Sequence, residues 1–124
     1  ATWALADTYA SFDRWFCSVR GPTWPNRMYW HSAQSAGIMS NDFPTQGFNW
    51  DTIYHRLDAK GVPWAYYYGD IPVVSVVESI PTEGRIKRFE DFFQDCEAGI
   101  LPPVVYIDPV FSRIGNDAGD SPGQ

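Results

Sequence analysis

The sequence is poor in what would make function obvious. It holds two cysteines, Cys17 and Cys96, and two histidines, His31 and His55. No His, Cys, Asp and Glu residues fall at metal-ligand spacing, so these residues alone do not display a complete metal site. The two cysteines lie far apart, and each reads as a small core hydrophobe rather than half of a disulfide. Basic residues are also few: nine Lys and Arg against fifteen Asp and Glu give a net charge of −6. That balance argues against a nucleic-acid partner, which selects for basic faces. No run approaches the ~18 apolar residues of a membrane span, and no charged-then-apolar leader opens the chain. The first residue is Ala1, which fits a processed product or an interior piece of a longer protein.

What is present is aromatic. Phe, Trp and Tyr make up 17% of the 124 residues, within a hydrophobic fraction of 44% typical of a globular chain. Trp15, Phe16, Trp64, Tyr66, Phe89 and Phe93 sit where a core would want them. A second group, Trp24, Tyr29, Trp30, Phe48 and Trp50, gathers around one turn and has two readings: packing, or a cleft suited to cationic head groups.

Patterning predicts an α/β domain. Leu5, Tyr9 and Phe12 repeat at helical spacing, so residues 2–11 predict a helix. "RWFCSV" reads as a first buried strand, closed by Gly21-Pro22. A helix over 25–36 follows, ended by Gly37. Asn49 or Asp51 caps another helix bearing Ile53, Tyr54 and Leu57, stopped by Gly61. "PWAYYY" is the second strand, "VVSVVESI" has strand propensity, 84–98 is helical, and "VVYI" is the third strand. The tail from 115 to 124 is polar and turn-forming. The order βαβαβ implies a parallel sheet with helices on both faces, in one domain over 1–124. Ligands then bind beyond the carboxyl ends of the strands, where Thr23, Asp70 and Asp108 share a rim.

The turn "GPTWPNR" holds the candidate chemistry. Thr23 precedes a helix whose free N–H groups favour an anion, and Asn26 and Arg27 stand in its first turn. A carboxamide donates to one phosphoryl oxygen, and a guanidinium can bind two in a fork. Read without chemistry, the threonine is a helix cap and its neighbours a solvated first turn. No base stands nearby: His31 lies two turns down the helix, and His55 is on another. Each reads as an exposed or core histidine.

"CSVRGPTWPNRMYWHSAQSAG" resembles the G-P-T-x-P-N-R motif of the bacterial phospholipase C and acid phosphatase family of the alkaline phosphatase superfamily. Its T-x-P-N core is similar to the T-F-P-N of nucleotide pyrophosphatase/phosphodiesterases. "WALADTYASFDRWFCSV", "FNWDTIYHRLDAKGVPWAYYYGD" and "AGILPPVVYIDPVF" resemble the family's neighbouring helices and strands. The resemblance implies a three-layer sandwich and hydrolysis of a phosphate ester through a phospho-threonine intermediate. Thr23 would be nucleophile and metal ligand, and Asn26 an oxygen ligand. The catalytic role of Arg27 is inferred from its place in the first turn. A divalent metal (Zn, Mn or Ca) is implied as cofactor, and the periplasm or export as location. Trp24, Trp30 and Trp50 are candidates for contact with a phospholipid head group. The family's E-N-R-S-F-D and D-D-H-P-P metal segments are missing, which makes the domain incomplete and removes most of the implied ligands. The alternative is a non-catalytic anion-binding or assembly module whose sheet is completed by a partner chain or a second copy.

Overall fold

The computed structural model describes residues 2–42, 47–77, 80 and 82–110. Four helices, α1 (Thr2–Thr8), α2 (Thr23–Ser32), α3 (Ile53–Ala59) and α4 (Phe89–Glu97), accompany three strands, β1 (Trp64–Tyr68), β2 (Ile86–Arg88) and β3 (Val104–Asp108). The sheet has the order β2-β1-β3, and both pairings are parallel. The expected α/β class is therefore present, with a different first strand.

β1 lies at the centre because its residues are apolar or aromatic on both sides. Trp64 through Tyr67 are all buried, as a central parallel strand requires. Trp64 and Tyr66 face α2 and α3: Tyr54 of α3 stands 4.5 Å from Trp64, and His31 of α2 stands 6.2 Å from Tyr66. Tyr67 faces the other way, edge-on to Phe92 of α4 at 5.3 Å, and its hydroxyl donates to Asp95 at 2.5 Å. Lys87 also donates to Asp95, at 2.6 Å. Helices thus cover both faces. The main core joins Met28, Phe48, Tyr54, Trp64, Tyr66 and the valines 73, 74 and 77.

Several expectations change. Residues 14–19 form no strand, and Trp15 and Phe16 are exposed. Apolar composition produces a strand only where a neighbouring ladder satisfies its backbone, and 14–19 meet none among the described residues. Phe93 is exposed too, as are both cysteines, which are free thiols rather than core hydrophobes. Within "VVSVVESI", Val73–Val76 coil into a 3-10 turn after Pro72, and Val77 makes a single bridge to Phe48. Residues 78, 79 and 81 and the tail from 111 onward lie outside the described residues. β2 replaces the start of the expected 84–98 helix: Tyr66 donates its N–H to Arg85 at 2.8 Å, pulling this segment onto β1. The helix begins only at Phe89, where the Asp91 carboxylate accepts the Arg88 N–H at 3.0 Å.

Thr52, not Asn49 or Asp51, caps α3. Its N–H donates to His55 Nδ1 at 3.0 Å, which gives that histidine a local structural task. The helix gives way to a turn in which Gly61 takes φ +64°, the freedom a side chain would lose. α2 stops at Ser32, five residues before Gly37. Ala33 closes it in the left-handed region, φ 57°, donating its N–H to Tyr29 at 2.8 Å. An alanine there carries Cβ strain that glycine lacks. Ala33→Gly should raise unfolding stability by about 1 kcal/mol in urea titration; a loss would show that this cap is not strained.

Candidate functional site

Thr23 is the first residue of α2, with extended Pro22 before it. Pro25 fits the helix start because it brings no N–H to satisfy. Of the amides expected to greet an anion, Pro25 therefore has none, and Trp24 donates its own to Asn41 Oδ1 at 3.2 Å. The anion-binding capacity of this terminus is narrower than the motif alone predicts. The Thr23 hydroxyl makes no hydrogen bond among the described residues. Thr23 lines a small pocket of about 130 Å³ together with Trp24, Arg27, Asn41 and Val73.

Arg27 lies one turn on and lines that pocket. Its Nη1 also donates to Asp108 Oδ1 at 2.6 Å, tying α2 to the carboxyl end of β3. Asp108 is 4% exposed, and its other oxygen accepts the Tyr66 hydroxyl. Val73, which packs with Tyr66 in the main core, is another wall of the pocket. Burial and the Asp108 contact push the Tyr66 phenol well above its ordinary range. It therefore stays a protonated donor, and Asp108 joins Tyr66 of the sheet to Arg27 of the pocket wall.

Asn26 stands differently from the expectation. Its carboxamide faces the preceding loop: Oδ1 accepts the Val19 N–H at 3.0 Å, and Nδ2 donates to Val19 at 3.0 Å, Gly21 at 3.2 Å and Pro22 at 3.0 Å. The three tryptophans do not converge. Trp24 borders the Thr23 pocket, whereas Trp50 packs on Phe48 at 4.5 Å. Trp30 is exposed and lines a separate groove of about 700 Å³ along β3, which Arg27 also borders. Of the predicted rim, Thr23 and Asp108 come together through Arg27. Asp70 instead accepts the Ile71 N–H at 2.8 Å. Sequence reasoning missed Asn41, Val73 and Tyr66; an asparagine in the "SND" loop was the one local signal.

His31 belongs to the core. It is 5% exposed and packs among Tyr54, Tyr66 and Tyr106, with Nδ1 2.9 Å from the Tyr54 hydroxyl. Burial pushes its pKa down to about 4 from 6.5, with Asp108 opposing and Arg27 adding to the shift. The unfolded chain binds this proton more tightly. The stability from keeping His31 neutral is complete above pH 6.5 and is lost as pH falls toward 4. That loss should reach about 3 kcal/mol between pH 7 and pH 4. His31→Phe keeps a ring in place and should flatten the acid limb by a similar amount in urea titrations. Superimposable pH profiles would remove His31 from the account.

Among the described residues, no three His, Cys, Asp or Glu side chains stand together as a metal-binding group. The Thr23 pocket itself holds no carboxylate or imidazole. The implied metal ligands are thus not met by the described residues.

A parallel three-strand sheet with helices defines the class as α/β. Comparison with known proteins is more specific: the family model described as the Phosphoesterase family matches residues 1–120. The chain belongs to this family. It is 36% identical to non-specific phospholipase C5 of Arabidopsis thaliana over 110 residues, 84% of this chain and 21% of that protein. Non-specific phospholipase C1 of the same plant is 38% identical over 105 residues, covering 79% of this chain and 20% of its own length. Phospholipase C B of Mycobacterium tuberculosis (strain ATCC 25618 / H37Rv) is 39% identical over 72 residues, covering 51% and 14%. The relatives are therefore not confined to bacteria, and the chain spans about a fifth of their length.

Proposed function

We propose that this chain carries the phosphoryl-accepting turn of a phospholipase C type phosphoesterase, with Thr23 as nucleophile. The supporting observation is that Thr23, whose hydroxyl has no hydrogen-bond partner among the described residues, lines a pocket together with Arg27. In the reaction, a bond forms from Thr23 Oγ to phosphorus as the ester bond breaks, and the electron pair leaves with the alcohol oxygen. Arg27, held by Asp108, offers charge to the phosphoryl oxygens, and Trp24 packs against the rest of the substrate. Water then releases phosphate or a phosphomonoester. The hydroxyl proton goes to a group outside the described residues, since none of them offers a base in this pocket. The metal implied by the family resemblance also finds no ligand set among them.

The test is chemical trapping. The chain is incubated with p-nitrophenyl phosphorylcholine or p-nitrophenyl phosphate, with and without Zn²⁺, Mn²⁺ or Ca²⁺, quenched in acid and digested. A phosphoryl group on the peptide containing Thr23 supports the reading, and preference for the choline diester identifies a phospholipid-like substrate. Turnover with the phosphoryl group elsewhere overturns it. The absence of a base beside Thr23 favours a second reading, an anion-binding module. Its signature is saturable phosphate binding with neither turnover nor a trapped phosphoryl group.

A further inference from the structure

The carboxamide of Asn26 is more fully engaged than a substrate ligand should be. An amide side chain has one acceptor oxygen and two N–H donors. Here the oxygen holds the Val19 N–H, and the nitrogen reaches the carbonyls of Val19, Gly21 and Pro22, all between 3.0 and 3.2 Å. Toward Val19 the side chain behaves as a neighbouring strand would, taking its N–H and supplying its carbonyl. That is why Val19 is satisfied although residues 14–19 join no sheet. Helical side chains lean toward the helix N-terminus, so a carboxamide three residues after Thr23 naturally swings back over this loop.

The rest of the turn is held as closely. Gly21 donates to Val19 at 2.8 Å, and a Cβ on Gly21 would stand 2.9 Å from the Met39 carbonyl. Asn41 takes the Trp24 N–H. Two asparagines therefore fix the residues on either side of Thr23, Asn26 at Pro22 and Asn41 at Trp24, while the hydroxyl between them bonds to none of the described residues.

We propose that Asn26 is a positioning residue: its carboxamide, closed on the Val19, Gly21 and Pro22 backbone, fixes the turn that presents Thr23 and holds no substrate oxygen. The idea rests on the preceding reading only for what the ordered hydroxyl is used for. Its test reads the loop, so it can succeed or fail independently of whether Thr23 accepts a phosphoryl group.

The experiment is nuclear magnetic resonance on this chain without ligand. The Asn26 side-chain N–H protons should exchange with solvent at least roughly tenfold more slowly than those of exposed Asn49. In Asn26→Ala, the Val19 and Thr23 amide signals should shift and broaden while those of Tyr54 and Trp64 keep their positions. Asn26→Asp retains an acceptor for the Val19 N–H and loses the donations to the Val19, Gly21 and Pro22 carbonyls. It should preserve slow exchange at Val19 while Thr23 still broadens. Side-chain exchange as fast as that of Asn49, or a Thr23 signal unmoved in both variants, overturns the proposal. If Asn26→Ala does not fold, the wild-type exchange rates and Asn26→Asp decide it.

Discussion

If Thr23 is the nucleophile proposed above, Thr23→Ala in a full-length protein with turnover is expected to reduce the rate by about 10⁴-fold or more, since removal of a covalent nucleophile leaves only binding and electrostatic stabilisation. The fold should hardly notice. The hydroxyl makes no hydrogen bond among the described residues, Pro22 rather than Thr23 stands at the cap, and alanine suits a helix start at least as well as threonine. Activity and stability should therefore separate, with steady-state kinetics collapsing and the urea midpoint unchanged. Thr23→Ser restores a hydroxyl and should recover part of the rate. A variant with near-normal turnover, or one that loses activity only because it unfolds, would end the nucleophile assignment.

Arg27→Ala is expected to destabilise the chain by about 4 kcal/mol, because it strands a carboxylate that is almost wholly out of water. Asp108 would keep the Tyr66 hydroxyl but lose the guanidinium that stands 2.6 Å away in the intact protein. This is a cost of breaking a pair, and the net worth of the pair is smaller. Asp108→Asn combined with Arg27→Met should therefore recover more than half of the loss, as a double-mutant cycle in urea would show. Additive losses would mean that the two side chains act independently. The pair also bears on function: Arg27→Lys keeps a charge but loses the fork, so it should hold Asp108 better than it serves a phosphoryl group.

Elements whose signals are local were readable from the sequence. α3 came from Ile53, Tyr54 and Leu57 with Gly61 beyond, β1 from the aromatic-rich run "PWAYYY", and β3 from "VVYI". What depended on a partner was not readable. Residues 14–19 and 73–80 have strand composition, but a strand is a relation between two segments, and neither finds an extended ladder among the described residues. Conversely Ile86–Arg88 carry no strand pattern and pair because Tyr66 offers the edge. The site divided in the same way. The threonine at a helix start was visible in "GPTWPNR", whereas the use of Asn26 was hidden because its partners are backbone atoms that any residue supplies. The Arg27–Asp108 contact spans 81 positions of chain, which one sequence read by itself does not show.

The placement of the indoles governs how any of these variants can be watched. Trp3, Trp15 and Trp30 already face water, so their emission will change little when the chain opens. Trp64, buried beside Tyr54 and donating its N–H to Asp58 at 2.9 Å, is the indole whose surroundings change most. A fluorescence melt of the whole chain would mix the responses of Trp64 and of Trp24 and Trp50, which pack against the core, with a large, indifferent background. Near-ultraviolet circular dichroism weights rings by how rigidly they are held, and would report the Tyr54–Trp64 contact with far better contrast.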